Sequence, residues 1–140
     1  MTINLSEITS GMELPDSKIL VIQEHIHMYA EASRDFNPIH IDPEFAVKTE
    51  FGGTVAHGML ILAHLSAYMT SNFGHSWMTG GTLNIRFKAA ARPGDIITIN
   101  GKITSLEPAD NFTLVSCDVL CRNQKDEAVI TGDAKVRMKH

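Results

Sequence analysis

Apolar residues change their spacing near the middle of the chain. In the first half the spacing is helical: Ile26, Tyr29, Ala30 and Ser33 share one face of residues 24–34, which predicts a helix there. A short strand-like run, Lys18-Ile19-Leu20-Val21-Ile22, precedes it. The helix has to stop by Asn37, because Pro38 disfavours helical geometry in the residue before it. Asp42-Pro43 reads as a new helix start, with Asp42 as N-cap, Pro43 at the first helical position, and Phe45 and Ala46 turned inward. Gly52-Gly53 interrupts that piece. Residues 57–72 then form the longest helix candidate, apolar on nearly every side through Met59, Leu60, Ile61, Leu62, Ala63, Leu65, Ala67, Tyr68 and Met69. Such a helix is expected to be buried all round.

The second half alternates instead. Leu83, Ile85 and Phe87 are interleaved with Thr82, Asn84, Arg86 and Lys88, and residues 95–104 are rich in Ile and Thr. Thr113, Val115, Cys117, Val119 and Cys121 keep the same two-residue period, as do Val136 and Met138. Residues 92–95 and 107–111 supply the turns. A buried helix followed by four alternating strands implies an antiparallel sheet wrapped around that helix, an α+β domain.

Length and charge narrow the picture. At 140 residues the chain is expected to be one domain, 1–140, and needs no metal or disulfide staple to fold. Sixteen acidic against twelve basic side chains give a net charge of −4, which speaks against broad binding to nucleic acid or an anionic membrane. Residues 1–7 lack the basic and apolar regions of a signal peptide, and the apolar stretch 55–68 is too short to span a bilayer. A cytoplasmic protein is expected. Cys117 and Cys121 lie four apart on one strand face, about 13 Å from each other, whereas a disulfide needs Cα atoms within about 7 Å. They read as reduced core thiols.

The polar cluster that stands out is residues 33–43, Ser-Arg-Asp-Phe-Asn-Pro-Ile-His-Ile-Asp-Pro. It sets Asp35 and His40 on either side of a Pro-stiffened turn, where a carboxylate and an imidazole can hold one water between them as an acid/base pair. Asp35 also lies near a helix C-terminus, where the dipole favours its protonated form and raises its basicity. The plainer explanation is an Asx-type turn, with Asp35 and Asn37 capping backbone amides. A second feature is Ala56-His57-Gly58-Met59, which opens the apolar helix. The first amides of a helix lack internal partners, and a glycine there lets an oxygen approach a free N–H that favours negative charge. Gly58 also reads as simple relief of crowding. His57 reads as structural or supporting, and His64, two turns on, as a packing residue.

Together these residues resemble the MaoC-like hydratases, the short (R)-specific enoyl-CoA hydratases of the hot-dog fold. The resemblance rests on Asp35-Phe36-Asn37-Pro38-Ile39-His40, on Asp42-Pro43 with Phe45-Ala46, and on Val55-Ala56-His57-Gly58-Met59-Leu60. It implies that Asp35 and His40 activate the water that adds to the β-carbon of a trans-2-enoyl thioester. The Gly58 amide would be the oxyanion donor, Asn37 would orient the loop, and Ser66 would lie near the site. No metal or redox cofactor is implied. The substrate would be an acyl-CoA, or the same pantetheine thioester on an acyl-carrier protein, and the protein a homodimer with its sheets joined edge to edge. One departure is Arg34, where the family usually has Gly or a small or acidic residue.

A hot-dog thioesterase shares the fold and the thioester, but many carry a catalytic carboxylate on the central helix. Residues 51–94 contain no Asp or Glu. A non-catalytic acyl-binding module would need the pocket without the acid/base pair. Neither His25 with His27 nor His40 with Asp42 has the further ligands nearby in sequence that zinc takes, so no metal site is expected.

Overall fold

In the computed structural model, which describes residues 2–140, a 3-10 turn at Leu5–Glu7 precedes strand β1 (Ser17–Leu20) and helix α1 (Gln23–Ser33). Two single-turn helices follow, α2 (Pro38–Ile41) and α3 (Pro43–Ala46), and then the long α4 (Gly58–Phe73) and short α5 (His75–Gly80). Strands β2 (Gly81–Phe87), β3 (Ile96–Pro108), β4 (Phe112–Arg122) and β5 (Ala128–Lys139) complete it. All strand pairs are antiparallel, in the order β1-β3-β4-β5-β2, so β1 and β2 are the two edges.

The two-residue period decides which face meets α4. On β4, Thr113, Val115, Cys117, Val119 and Cys121 are buried, while the alternate residues are half-buried or exposed. The inner face closes on Ile61, Leu65, Tyr68, Met69 and Phe73 of α4. Gly101 on β3 makes this approach possible: a Cβ there would sit 2.9 Å from Leu14 and 3.1 Å from the Tyr68 hydroxyl. The α+β expectation therefore holds, with the core in one layer between sheet and helix.

Two local expectations need correction. Helix α4 is buried on one side only. Met59 is 54% exposed, and Gly58, Ala63, Ala67 and Ser71 also face outward, because the five strands curl along one flank of the helix. In α3 only Ala46 is buried and Phe45 is 47% exposed, since neighbours on a helical turn diverge by about 100° and four residues cannot turn both inward. Gly74 ends α4 with a positive φ of 56°, and α5, which follows it, buries Trp77. No periodicity could reveal so short a helix.

Cys117 and Cys121 are both free and buried. Burial pushes each thiol up from 9.0 to about 12, with the Asp118 charge adding to the effect at Cys117. Only the thiolate reacts with disulfide reagents. Neither cysteine should therefore label in the native protein at neutral pH, and both should label after unfolding in guanidinium, as followed with a chromogenic disulfide.

Candidate active site

The site is built where α1 stops. Ser33 donates its hydroxyl to the Tyr29 carbonyl at 2.7 Å, and Arg34 turns into the left-handed region at φ 64°. That reversal swings Asp35 out of the helix. The Asp35 N–H donates to Ser33 Oγ at 3.3 Å, and Asp35 Oδ1 accepts the Asn37 N–H at 3.2 Å. Asn37 Oδ1 in turn accepts the Ile39 N–H at 3.1 Å and caps α2, with Pro38 in its first position. The Asx turn is thus real, and it does not compete with an acid/base role. It occupies one carboxylate oxygen and leaves Oδ2 free.

His40, on α2, completes the pair. Its Nδ1 lies 2.8 Å from the Val55 carbonyl, which can only accept, so this nitrogen carries the proton and Nε2 is left with a lone pair. Nε2 lies 3.9 Å from Asp35 Oδ2. Two acceptors at that distance do not bond to each other. A water, which has two O–H donors, fits between them and can donate to both. The His40 side chain is 13% exposed and that of Asp35 53%, so the gap opens to solvent on the carboxylate side.

His57 lies beneath them, 2% exposed. Its Nε2–H donates to the Asp35 backbone carbonyl at 3.0 Å. Its ring stacks on His40 at 3.8 Å and meets Tyr29 edge-on at 4.9 Å. Ligating atoms of Asp35, His40 and His57 all fall within 4.8 Å of one another. The rings stack at an inclination of 26°, and each has committed one nitrogen to a carbonyl. This geometry suits a bridged water better than a shared ion.

Directly after His57, Gly58 begins α4, whose first amides have no partner within the helix. A Cβ on Gly58 would meet the Phe87 ring at 3.0 Å, so the absent side chain lets β2 close against the helix N-terminus. Beside it lies a cavity of about 340 Å³ lined by Phe51, Ala56, Gly58, Ile61, Phe87 and Val129.

Asp35, Asn37, His40, His57 and Gly58 are therefore brought together. Ser66 is not: its hydroxyl accepts the Trp77 indole N–H at 3.1 Å, eight residues and about 12 Å along α4 from Gly58. His64 is half-buried between the helices, and burial with the neighbouring His25 holds its pKa below the usual value. Gln23 went unseen in the sequence. It donates to the His40 carbonyl at 2.8 Å and accepts the Thr54 hydroxyl at 2.7 Å, tying the start of α1 to the site. A glutamine in a first helical turn carries no signal of such a task.

The sheet around a central helix, with an Asp/His turn at the helix N-terminus, defines a hot-dog domain of the hydro-lyase class. The chain matches the MaoC like domain over residues 6–119 and belongs to that family. It is 30% identical over 118 residues to the (R)-specific enoyl-CoA hydratase of Rhodospirillum rubrum, covering 83% of this chain and 78% of that one. It is 29% identical over 110 residues to the 3-hydroxybutyryl-CoA dehydratase of Methylorubrum extorquens, covering 79% and 68%. The unliganded R-hydratase PhaJ1 of Pseudomonas aeruginosa shares its fold, with a TM-score of 0.83 at 23% identity over 96% of this chain and 84% of the other.

Arg34 pays a steric penalty that glycine avoids at positive φ, on the order of 1 kcal/mol. Arg34→Gly should stabilise the fold by up to about that amount, read from urea unfolding midpoints.

Proposed function

We propose that the protein adds water across the double bond of a trans-2-enoyl thioester to give the (R)-3-hydroxyacyl thioester, and catalyses the reverse dehydration. The observation that carries this is the 3.9 Å gap between Asp35 Oδ2 and His40 Nε2, two acceptors held to face one another. A water in that gap donates to both. As its oxygen bonds to the β-carbon, its proton passes to the pair and the alkene electrons move toward the thioester oxygen. That oxygen becomes enolate-like, and the free amide at Gly58 is placed to stabilise it as the charge develops. The proton then returns to the α-carbon, so water is added across the bond and no redox partner is consumed. The apolar cavity beside Gly58 offers room for the substrate near that donor. The enzyme relatives support both directions of the reaction.

The handle would be CoA or the pantetheine arm of an acyl-carrier protein. A relative named for the carrier-protein dehydratase reaction, from Arabidopsis thaliana, is 31% identical over 112 residues, spanning 79% of this chain and 66% of that one. No metal or redox cofactor enters this scheme. No helix among the described residues is long and apolar enough to cross a membrane.

Crotonyl-CoA should lose its enoyl absorbance when the protein is added. Asp35→Ala and His40→Ala should each slow that loss by a factor on the order of 10²–10⁴, as removal of an acid/base group does. Wild-type rates in both variants would remove the pair from the reaction. Release of free thiol from saturated acyl-CoA without hydration would make the protein a thioesterase.

The open edge of β2 and the outward Met59 and Phe87, 54% and 52% exposed, leave a strand and apolar surface uncovered in one chain. A homodimer joined there would cover both. Light scattering on the purified protein should give twice the chain mass, and a monomer at micromolar concentration would refute the dimer.

A further inference from the structure

We infer that His57 is a positioning residue that holds Asp35 and His40 at their water-bridging separation, an inference that rests on the hydratase reading of this site. Three contacts converge on its ring. The Nε2–H donates to the backbone carbonyl of Asp35 at 3.0 Å, the ring face stacks on His40 at 3.8 Å, and the ring meets Tyr29 at 4.9 Å. One side chain thus touches both members of the pair, from the residue that immediately precedes Gly58 in the chain.

Two plainer roles fit less well. As N-cap of α4, His57 makes no side-chain bond to the helix it precedes. As core filler, it leaves Nδ1 buried without a partner, a cost an apolar ring of similar size would avoid. What the imidazole supplies instead is a donor aimed at Asp35 and a flat face for His40. Nε2 has a carbonyl to donate to and Nδ1 has no acceptor in reach, so the contacts provide for one ring proton. Its face can then lie against His40 when that ring takes a proton from the attacking water, whereas a second cation at 3.8 Å would oppose that step. The charged or titratable groups that meet His57 are Asp35, His40 and Tyr29.

The test uses His57→Phe, which keeps a ring and loses the donor, and His57→Gln, which keeps an N–H donor. Melting curves and circular dichroism establish that each is folded. His57→Phe should lower kcat for crotonyl-CoA hydration by about 10–100-fold, the scale set by small misplacement of reacting groups, with KM nearly unchanged. His57→Gln should recover part of that loss. Long-range nitrogen-15 spectra of the wild-type protein should show neutral His57 protonated on Nε2 and His40 protonated on Nδ1. Wild-type kcat in folded His57→Phe, or equal impairment in a folded His57→Gln, would overturn the proposal. So would a proton on His57 Nδ1, a result that counts even if the wild-type protein proves inactive. Inactive wild-type protein with the expected tautomers would overturn the hydratase reading, and with it the catalytic purpose assigned to His57.

Discussion

The arrangement of the candidate site depends on two imidazole-to-carbonyl hydrogen bonds that brace one turn. Asp35 lies in an exposed crossing between α1 and α2, the sort of segment that moves unless tied down. His57 reaches from the N-terminus of α4 to the Asp35 carbonyl, and His40 reaches from α2 to the Val55 carbonyl in the segment that leads into α4. Each bond crosses to the other segment, so the turn and the helix start hold one another. The same bonds choose the tautomers, because a carbonyl can only accept. Fixing Nδ1–H on His40 is what presents a lone pair to Asp35, and two lone pairs facing across 3.9 Å define the place for a donating water.

Much of this was legible in the sequence because it is written in local chemistry. Pro38 and Asn37 announce the capped turn, Asp42-Pro43 the next helix, and the two-residue alternation of β4 its buried face. The resemblance pointed to Asp35, Asn37, His40 and Gly58, and those four do come together. What could not be read was whatever depends on contacts between distant segments. The apolar run of α4 predicts burial, and says nothing of which side the sheet leaves open. Ser66 lies on the central helix near the site in sequence terms, but only the position of Trp77 on α5 decides that its hydroxyl is taken there. Gln23 and Tyr29 serve the site from α1, and at that distance in sequence no spacing rule connects them to it.

The distribution of charge now has a structural explanation. Residues 51–94, free of acid, run from the loop before α4 through β2, and they supply Phe51, Gly58, Ile61 and Phe87 to the cavity beside the helix N-terminus. A carboxylate in that stretch would oppose negative charge on a thioester oxygen at Gly58. Beside the helix start, the Asp35 carboxylate turns its Oδ2 atom toward His40 Nε2 at 3.9 Å. In the proposed reaction, separating the base from the oxyanion donor in this way would let the same small site draw a proton off water at one end and stabilise charge at the other.

The central claim is that the water between Asp35 and His40 becomes the 3-hydroxyl group and leaves the thioester intact. Mass spectrometry of the product formed from crotonyl-CoA in oxygen-18-enriched water tests it most directly. The expected result is one heavy oxygen on the β-carbon of a product still joined to CoA. Heavy oxygen in a free carboxylate, with CoA thiol released, would contradict it.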